Sequence, residues 1–236
     1  MVVVAAGAGS RFGAAVPKAF VLLRGRTLLA WSLEAARACP GVVGVVAVVP
    51  EAYVDVAQRE ASRYAAPPVH VVAGGDERRD SVAAGLAAVD PSVEVVLVHD
   101  AARALAPVAL FAAVAEAVVA GHPAVIPGLP VVDTVKVVDR DGVVTGTPDR
   151  SALRAIQTPQ GFRRLLLERA HGAPGLRSVM GVTDDAALVE ALDEPVLVVP
   201  GDRLAHKITT PDDLHRAEAA LRDRGDPPRC LAPFVL

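Results

Sequence analysis

Six valine-rich apolar runs of strand length, at residues 2–6, 42–49, 69–72, 93–99, 124–127 and 195–199, alternate with stretches of helical spacing at 28–38, 51–64, 81–89, 107–120, 162–171 and 183–192. No other feature narrows the possible folds as much. Strands that read as continuous apolar runs, instead of alternating apolar and polar residues, are those buried on both faces. Strand–helix alternation then implies an α/β chain with a mostly parallel central sheet and helices on both faces. Ligands in such sheets sit beyond the carboxyl ends of the strands. The loop at Gly7 and the segment His99-Asp100-Ala101-Ala102-Arg103 both follow strands, so they are expected to share one crevice.

The 236 residues, 52% of them apolar, suffice to bury a full core as a single domain, 1–236. One region breaks the pattern. Residues 131–138, the turn Asp139-Arg140-Asp141-Gly142 and residues 143–147 read as a β-hairpin, an arm inserted at about 131–155. An arm with little core of its own packs on something else, and a partner subunit is the natural candidate. Near the end, Thr210-Pro211-Asp212-Asp213 is an N-cap with proline at the first helical position, opening an amphipathic helix to about Arg224.

A formal net charge of −3 with scattered arginines argues against a nucleic-acid footprint, while small anionic ligands need only a local cluster. Cys39 and Cys230 form neither a CxxC nor a Cys/His ligand pattern. The first residues carry no basic leader and no span long enough for a membrane. The expectation is a soluble, cytoplasmic protein that engages neither nucleic acid nor membrane.

Chemistry concentrates in a few segments. Residues 5–18 join a strand to a glycine-rich loop carrying Arg11 and Lys18, the layout of a polyphosphate cradle in which backbone N–H groups approach an anion. It is neither a Walker loop, lacking Gly-Lys-Ser/Thr, nor a dinucleotide fingerprint, since three residues separate Gly9 from Gly13. A glycine turn with solvated cations is the plain alternative, but Pro17 stiffens the chain just before Lys18. Lysine is otherwise rare, occurring only at 18, 136 and 207.

In Gly74-Gly75-Asp76-Glu77-Arg78-Arg79-Asp80-Ser81, Asp80 or Ser81 can cap a helix, and the paired glycines suit close approach to a flat base. His99 to Arg103 reads either as a salt-bridged strand end or as a site in which two alanines leave room for a ligand. Thr183-Asp184-Asp185 reads first as a helix cap. Asp133, Thr134, Lys136 and Arg150 look like ordinary polar residues of the arm, and Lys207 precedes the last helix with no surface-helix role to explain it.

Taken in order from residue 2 to about 221, these segments resemble the 2-C-methyl-D-erythritol 4-phosphate cytidylyltransferases. The matching motifs are AAG-x-G-x-R-x-G with PK, GGDERRDSV, HDAAR, DTVK, TPQ-x-F, TDDA and KITTPDDL. The resemblance implies a Rossmann-like nucleotidyltransferase fold with a projecting β-arm exchanged in a homodimer. It implies transfer of a cytidylyl group from CTP to methylerythritol phosphate, with Mg²⁺ bound mainly through the CTP phosphates and no dedicated metal ligand. Arg11 and Lys18 would stabilise the transition state at the α-phosphorus, while Arg150, from the partner's arm, and Lys207 would position the attacking phosphate. Ala5, Ala6, Gly7 and Gly9 would follow the nucleotide, with Gly75, Asp76 and Ser81 on the cytosine side. Asp100, Arg103, Thr134 and Thr183 would line the methylerythritol phosphate site. Val4, Ala104 and Ala205 depart from the family pattern. A ribitol 5-phosphate cytidylyltransferase and a non-catalytic nucleotide-binding relative are the competing readings.

Overall fold

The computed structural model describes residues 1–7, 12, 16–173 and 184–223. Gly9, Arg11, Thr183 and Cys230 lie outside the described residues. All six apolar runs form strands: β1 (Val2–Val4), β4 (Val45–Val49), β5 (Val69–Ala73), β6 (Val95–Asp100), β7 (Ala124–Pro130) and β12 (Val196–Pro200). Between β1 and β4 a two-residue turn, Arg24 (φ 51°) and Gly25 (φ 77°), closes a small hairpin of β2 (Leu22–Leu23) and β3 (Arg26–Thr27). Positive φ at both central residues matches the twist of such hairpins.

Strands β5, β4, β1 and β6 lie side by side and parallel, and β7 and β12 are parallel to each other. Two strands not anticipated from the sequence, β10 (Arg154–Ile156) and β11 (Gln160–Arg163), run antiparallel along β7, and β11 also pairs with β6, joining the two parallel groups. Phe162, expected to begin a helix, therefore belongs to a strand, and α5 starts two residues later, at Arg164–Gly172. Paired on both sides through its backbone, this segment needs no valine run to be a strand.

Helices cover both faces, as the alternation predicted. Odd-numbered Val45, Ala47 and Val49 pack with Val3 against α1 (Leu28–Ala38), α2 (Val54–Ala61) and α4 (Val108–Val119). Even-numbered Val46 and Val48 pack with Val2 and Phe162 against α3 (Arg78–Ala87), α5 and α6 (Asp185–Glu190). Every residue of β4 is buried, which is why the strand reads as an unbroken apolar run. Each fully buried valine or leucine here contributes about 1.5–3 kcal/mol relative to exposure.

The expected arm is present as β8 (Val137–Val138) and β9 (Val144–Gly146), antiparallel. Its turn is tied by the Asp139 carboxylate, which accepts from the N–H groups of Asp141 and Val143, with Gly142 at φ 83°. The last helix, α7 (Pro211–Asp223), starts as the sequence predicts. Thr210 Oγ1 accepts from Asp213 N–H, and Asp213 accepts from both Thr209 and Thr210.

Candidate active site

The parallel register of β1 and β6 sets Val4 opposite Asp100, so the chain leaving each strand emerges at the same carboxyl-terminal edge. Ala5 N–H is held by Val48 O and Ala101 N–H by Val4 O, which anchors both exits. A cleft of about 420 Å³ opens there, and its walls include Ala5, Ala6, Gly7, Lys18, Gly75 and Asp76. Glu77, Arg78, Ser81, Asp100 and Lys207 line it as well. The crevice expected from strand order is therefore the one observed. A larger hollow, about 1080 Å³, lies at the opposite, amino-terminal ends of the strands among Val43, Val45, Pro68, Val93 and Val119, and it contains none of the candidate residues.

Lys18 opens a short 3₁₀ turn, Lys18–Phe20, behind Pro17 (φ −56°), the rigid approach anticipated from the sequence. On the opposite wall, α3 begins at Arg78 with Glu77 as N-cap residue, so neither Asp80 nor Ser81 caps it. Ser81 Oγ instead donates to Glu77 O at 3.1 Å. The paired glycines have a packing reason as well. A Cβ on Gly74 would meet Ala6 Cβ at 2.5 Å and Ser81 Oγ at 2.7 Å, and one on Gly75 would collide with Asp80.

Asp100 is the centre of charge. Its Oδ2 lies 2.8 Å from Lys207 Nζ and its Oδ1 3.1 Å from Arg78 Nε. Burial alone would raise this carboxyl, but Arg78, Lys207 and Arg103 outweigh it and hold Asp100 well below the usual carboxylate range. Arg78 also reaches back to Asp185 Oδ2 at 2.8 Å, and Asp185 Oδ1 meets His171 Nε2 at 3.0 Å. Burial would lower the Arg78 guanidinium, yet the two carboxylates raise it further.

The backbone beneath Lys207 is fixed by neighbours from elsewhere in the sequence. Arg103 Nη1 donates to Ala205 O at 2.8 Å and Nη2 to Ile156 O at 3.3 Å, while Ile208 N–H donates to Ala102 O at 2.8 Å. Arg103 thus ties the lysine segment to β10, and it is not among the residues lining the cleft. Ala104 and Ala205, which depart from the family pattern, are both buried apolar residues.

The next residue on from Thr183, Asp184, caps α6 by accepting from Ala187 N–H at 3.0 Å, and its other oxygen accepts from Gln160 at 2.7 Å. Asp185 turns inward and is fully buried against Arg78 and His171. Thr134 and Arg150 are exposed on the arm, away from the cleft lining. Arg150 Nη1 donates to Val132 O. Three residues are absent from the sequence-derived site: Arg78, which lines the cleft, and Asp185 and His171, which stand behind it. The only hint in the sequence is that the motif carries two adjacent arginines, and nothing local separates Arg78 from Arg79, which bonds His171 O instead.

A family model described as 2-C-methyl-D-erythritol 4-phosphate cytidylyltransferase matches residues 1–223. The chain is 50% identical over 226 residues to the protein of that name from Frankia casuarinae, covering 96% of this chain and 82% of that one. It is 51% identical over 223 residues to its namesake from Nocardia farcinica, covering 93% and 92%. Among solved structures it is similar to 4-diphosphocytidyl-2C-methyl-D-erythritol synthase from Anaerococcus prevotii, with a TM-score of 0.82, 32% identity and 94% of each chain covered. It is also similar to 2-C-methyl-D-erythritol 4-phosphate cytidylyltransferase from Thermus thermophilus, with a TM-score of 0.73, 37% identity, and 94% and 98% covered.

Proposed function

Because the chain belongs to the 2-C-methyl-D-erythritol 4-phosphate cytidylyltransferase family, we infer that it is a nucleotidyltransferase joining CTP and methylerythritol phosphate into 4-diphosphocytidyl-2-C-methyl-D-erythritol, with release of pyrophosphate, in isoprenoid precursor synthesis. The observation that carries this reading is the pair of lysines, Lys18 and Lys207, on the walls of one cleft whose floor is the ends of β1 and β6.

The acceptor phosphate is already an anionic nucleophile, so no general base is required. One of its oxygens bonds to the α-phosphorus, the bond from that phosphorus to the bridging oxygen of the β-phosphate breaks, and pyrophosphate leaves with the electron pair. Charge builds on the equatorial oxygens and the departing group, so fixed cations and orientation supply the catalysis. In this reading Lys18 and Arg11 face the α-phosphorus and Lys207 holds the acceptor phosphate. Ala5, Ala6, Gly7 and Gly9 follow the nucleotide, and Gly75, Asp76 and Ser81 take the cytosine side. Asp100, Thr134 and Thr183 serve the acceptor, and Arg103 acts indirectly by fixing the Lys207 segment.

Among the described residues no cluster of three or more His, Cys, Asp or Glu side chains could hold a metal. Both oxygens of Asp100 are engaged by cations, which fits a magnesium ion carried in by the triphosphate. Bound there, it would neutralise phosphate charge.

The same proposal includes a homodimer in which Arg150 and Thr134 enter the partner's cleft. Its support is the arm itself, where Val137, Val138, Val143 and Val144 are 51–61% exposed, an apolar face that a second subunit would cover. Among the described residues no helix is long and apolar enough to cross a membrane. A cytoplasmic site of action is part of the reading, since every substrate is charged.

The test is pyrophosphate release from CTP with a magnesium salt, offering methylerythritol 4-phosphate and ribitol 5-phosphate in parallel. Turnover with the first alone supports the reading. Turnover with ribitol phosphate alone moves the acceptor, and silence with both while CTP still binds makes the protein a nucleotide-binding relative.

A further inference from the structure

Five charged or ionisable side chains from five separate elements form an unbroken line into the molecule: Lys207, Asp100, Arg78, Asp185 and His171, at successive distances of 2.8, 3.1, 2.8 and 3.0 Å. The line is asymmetric. Lys207, at the cleft end, is 39% exposed, whereas Asp185 and His171 at the inner end are 1% and 5% exposed. Arg78 spans two carboxylates, so a swing toward either one abandons the other. Its Nη2 is buried with no hydrogen-bond partner among the described residues, an orphan that persists only because the rest of the guanidinium is pinned. Among the described residues, Lys207 carries no such second anchor to a buried acid.

We infer that Arg78 is a positioning residue: it pins the Oδ1 side of Asp100 against Asp185, so that Lys207, on Oδ2, is the partner that leaves Asp100 for the incoming phosphate. The inference rests on the reading of Lys207 as the acceptor-phosphate ligand. Were Arg78 absent, Asp100 would keep Lys207 as its main counter-charge and compete with the phosphate for it. With Arg78 present, the carboxylate stays compensated and in place after Lys207 departs. The groups facing Asp100 are Arg78 from α3, Lys207 from the segment before α7, Arg103 and His99 from its own chain segment, and, behind Arg78, Asp185 of α6 and His171 of α5.

The experiment compares the full-length parent with Arg78→Gln, Arg78→Lys and Asp185→Asn. Steady-state KM is measured for each substrate, thermal unfolding controls for folding, and carbon-13 NMR follows the Asp100 carboxyl through acid titration. Arg78→Gln is expected to raise KM for methylerythritol phosphate about tenfold, because Asp100 then competes for Lys207 by roughly one charge-assisted hydrogen bond more. KM for CTP should stay within about twofold, Asp100 should titrate at higher pH, and Arg78→Lys should recover part of both effects. If Arg78→Gln does not fold, Asp185→Asn carries the same test, because it keeps Arg78 and removes its rear anchor. An unchanged acceptor KM and unchanged Asp100 titration in a folded variant overturn the inference, as does an equal rise in both KM values. The titration needs no substrate. A parent inactive on methylerythritol phosphate therefore defeats the functional reading, while Arg78 pairing is still judged by the carboxyl.

Discussion

Lys207 Nζ sits 2.8 Å from Asp100 Oδ2, so the lysine proposed to hold the acceptor phosphate is paired with a carboxylate that is itself compensated from the other side. Because the Lys207 side chain is 39% exposed, water screens the pair. Lys207→Ala is expected to cost no more than about 1 kcal/mol of stability while lowering turnover on the order of a hundredfold. Urea denaturation and pyrophosphate release, measured on the same preparation, check the two halves. Equal activity in parent and variant would remove Lys207 from the mechanism.

Lys18→Ala should likewise lower turnover on the order of a hundredfold or more at saturating CTP, because the cation proposed to face the transferring phosphorus is lost. Near-full turnover under those conditions would place the α-phosphorus elsewhere.

His99 supplies a pH dependence with a definite sign. The ring is fully buried beside Phe111, with Nδ1 3.0 Å from Thr158 Oγ1, and burial pushes its pKa from 6.5 down to about 4. The unfolded chain binds this proton more readily than the folded one. Stability is therefore full above pH 6.5 and declines as the pH falls from 6.5 toward 4. The chemical denaturation midpoint should fall across that window in the parent, and His99→Gln should flatten that part of the profile whatever it does to the plateau.

Gly85 lies in α3 where the helix presses on β1 and β4. A Cβ there would meet Val2 Cγ1 at 2.5 Å and Val48 Cγ2 at 2.7 Å. Alanine would gain about 1 kcal/mol of helix propensity, but overpacking against two buried strands costs about 1–3 kcal/mol. Thermal unfolding should show Gly85→Ala less stable than the parent, and a rise in melting temperature would contradict the tight helix–sheet contact.

The proposed exchange of the arm between subunits predicts complementation. Arg150→Ala and Lys207→Ala homodimers should each be nearly inactive. Once subunits have exchanged, mixing them should restore activity, because one site in each mixed dimer combines an intact Lys207 with an intact Arg150. No recovery after exchange shown by mass spectrometry would put both residues in one subunit's site.

Hydrophobic period and local chemistry, both properties of contiguous residues, determined much of this protein from the sequence. The valine runs became six strands, α1 spans Leu28–Ala38 as the spacing predicts, and the turn at 139–142 closes the arm. The Thr210-Pro211 start of α7 and the rigid approach to Lys18 are equally local. What tertiary structure alone decided are features in which the partner lies far along the chain. β11 is a strand because β6 and β7 flank it, although Gln160 and Gly161 interrupt any apolar pattern. Arg78 differs from Arg79 only because the turn of α3 aims it between Asp100 and Asp185, 22 and 107 residues away. Arg103, a plausible ligand residue in sequence, directs its donors to the Ala205 and Ile156 carbonyls and so shapes the Lys207 segment from beneath. Periodicity reports which face of a segment is buried. It does not report which distant charge waits there, and burial makes that pairing obligatory.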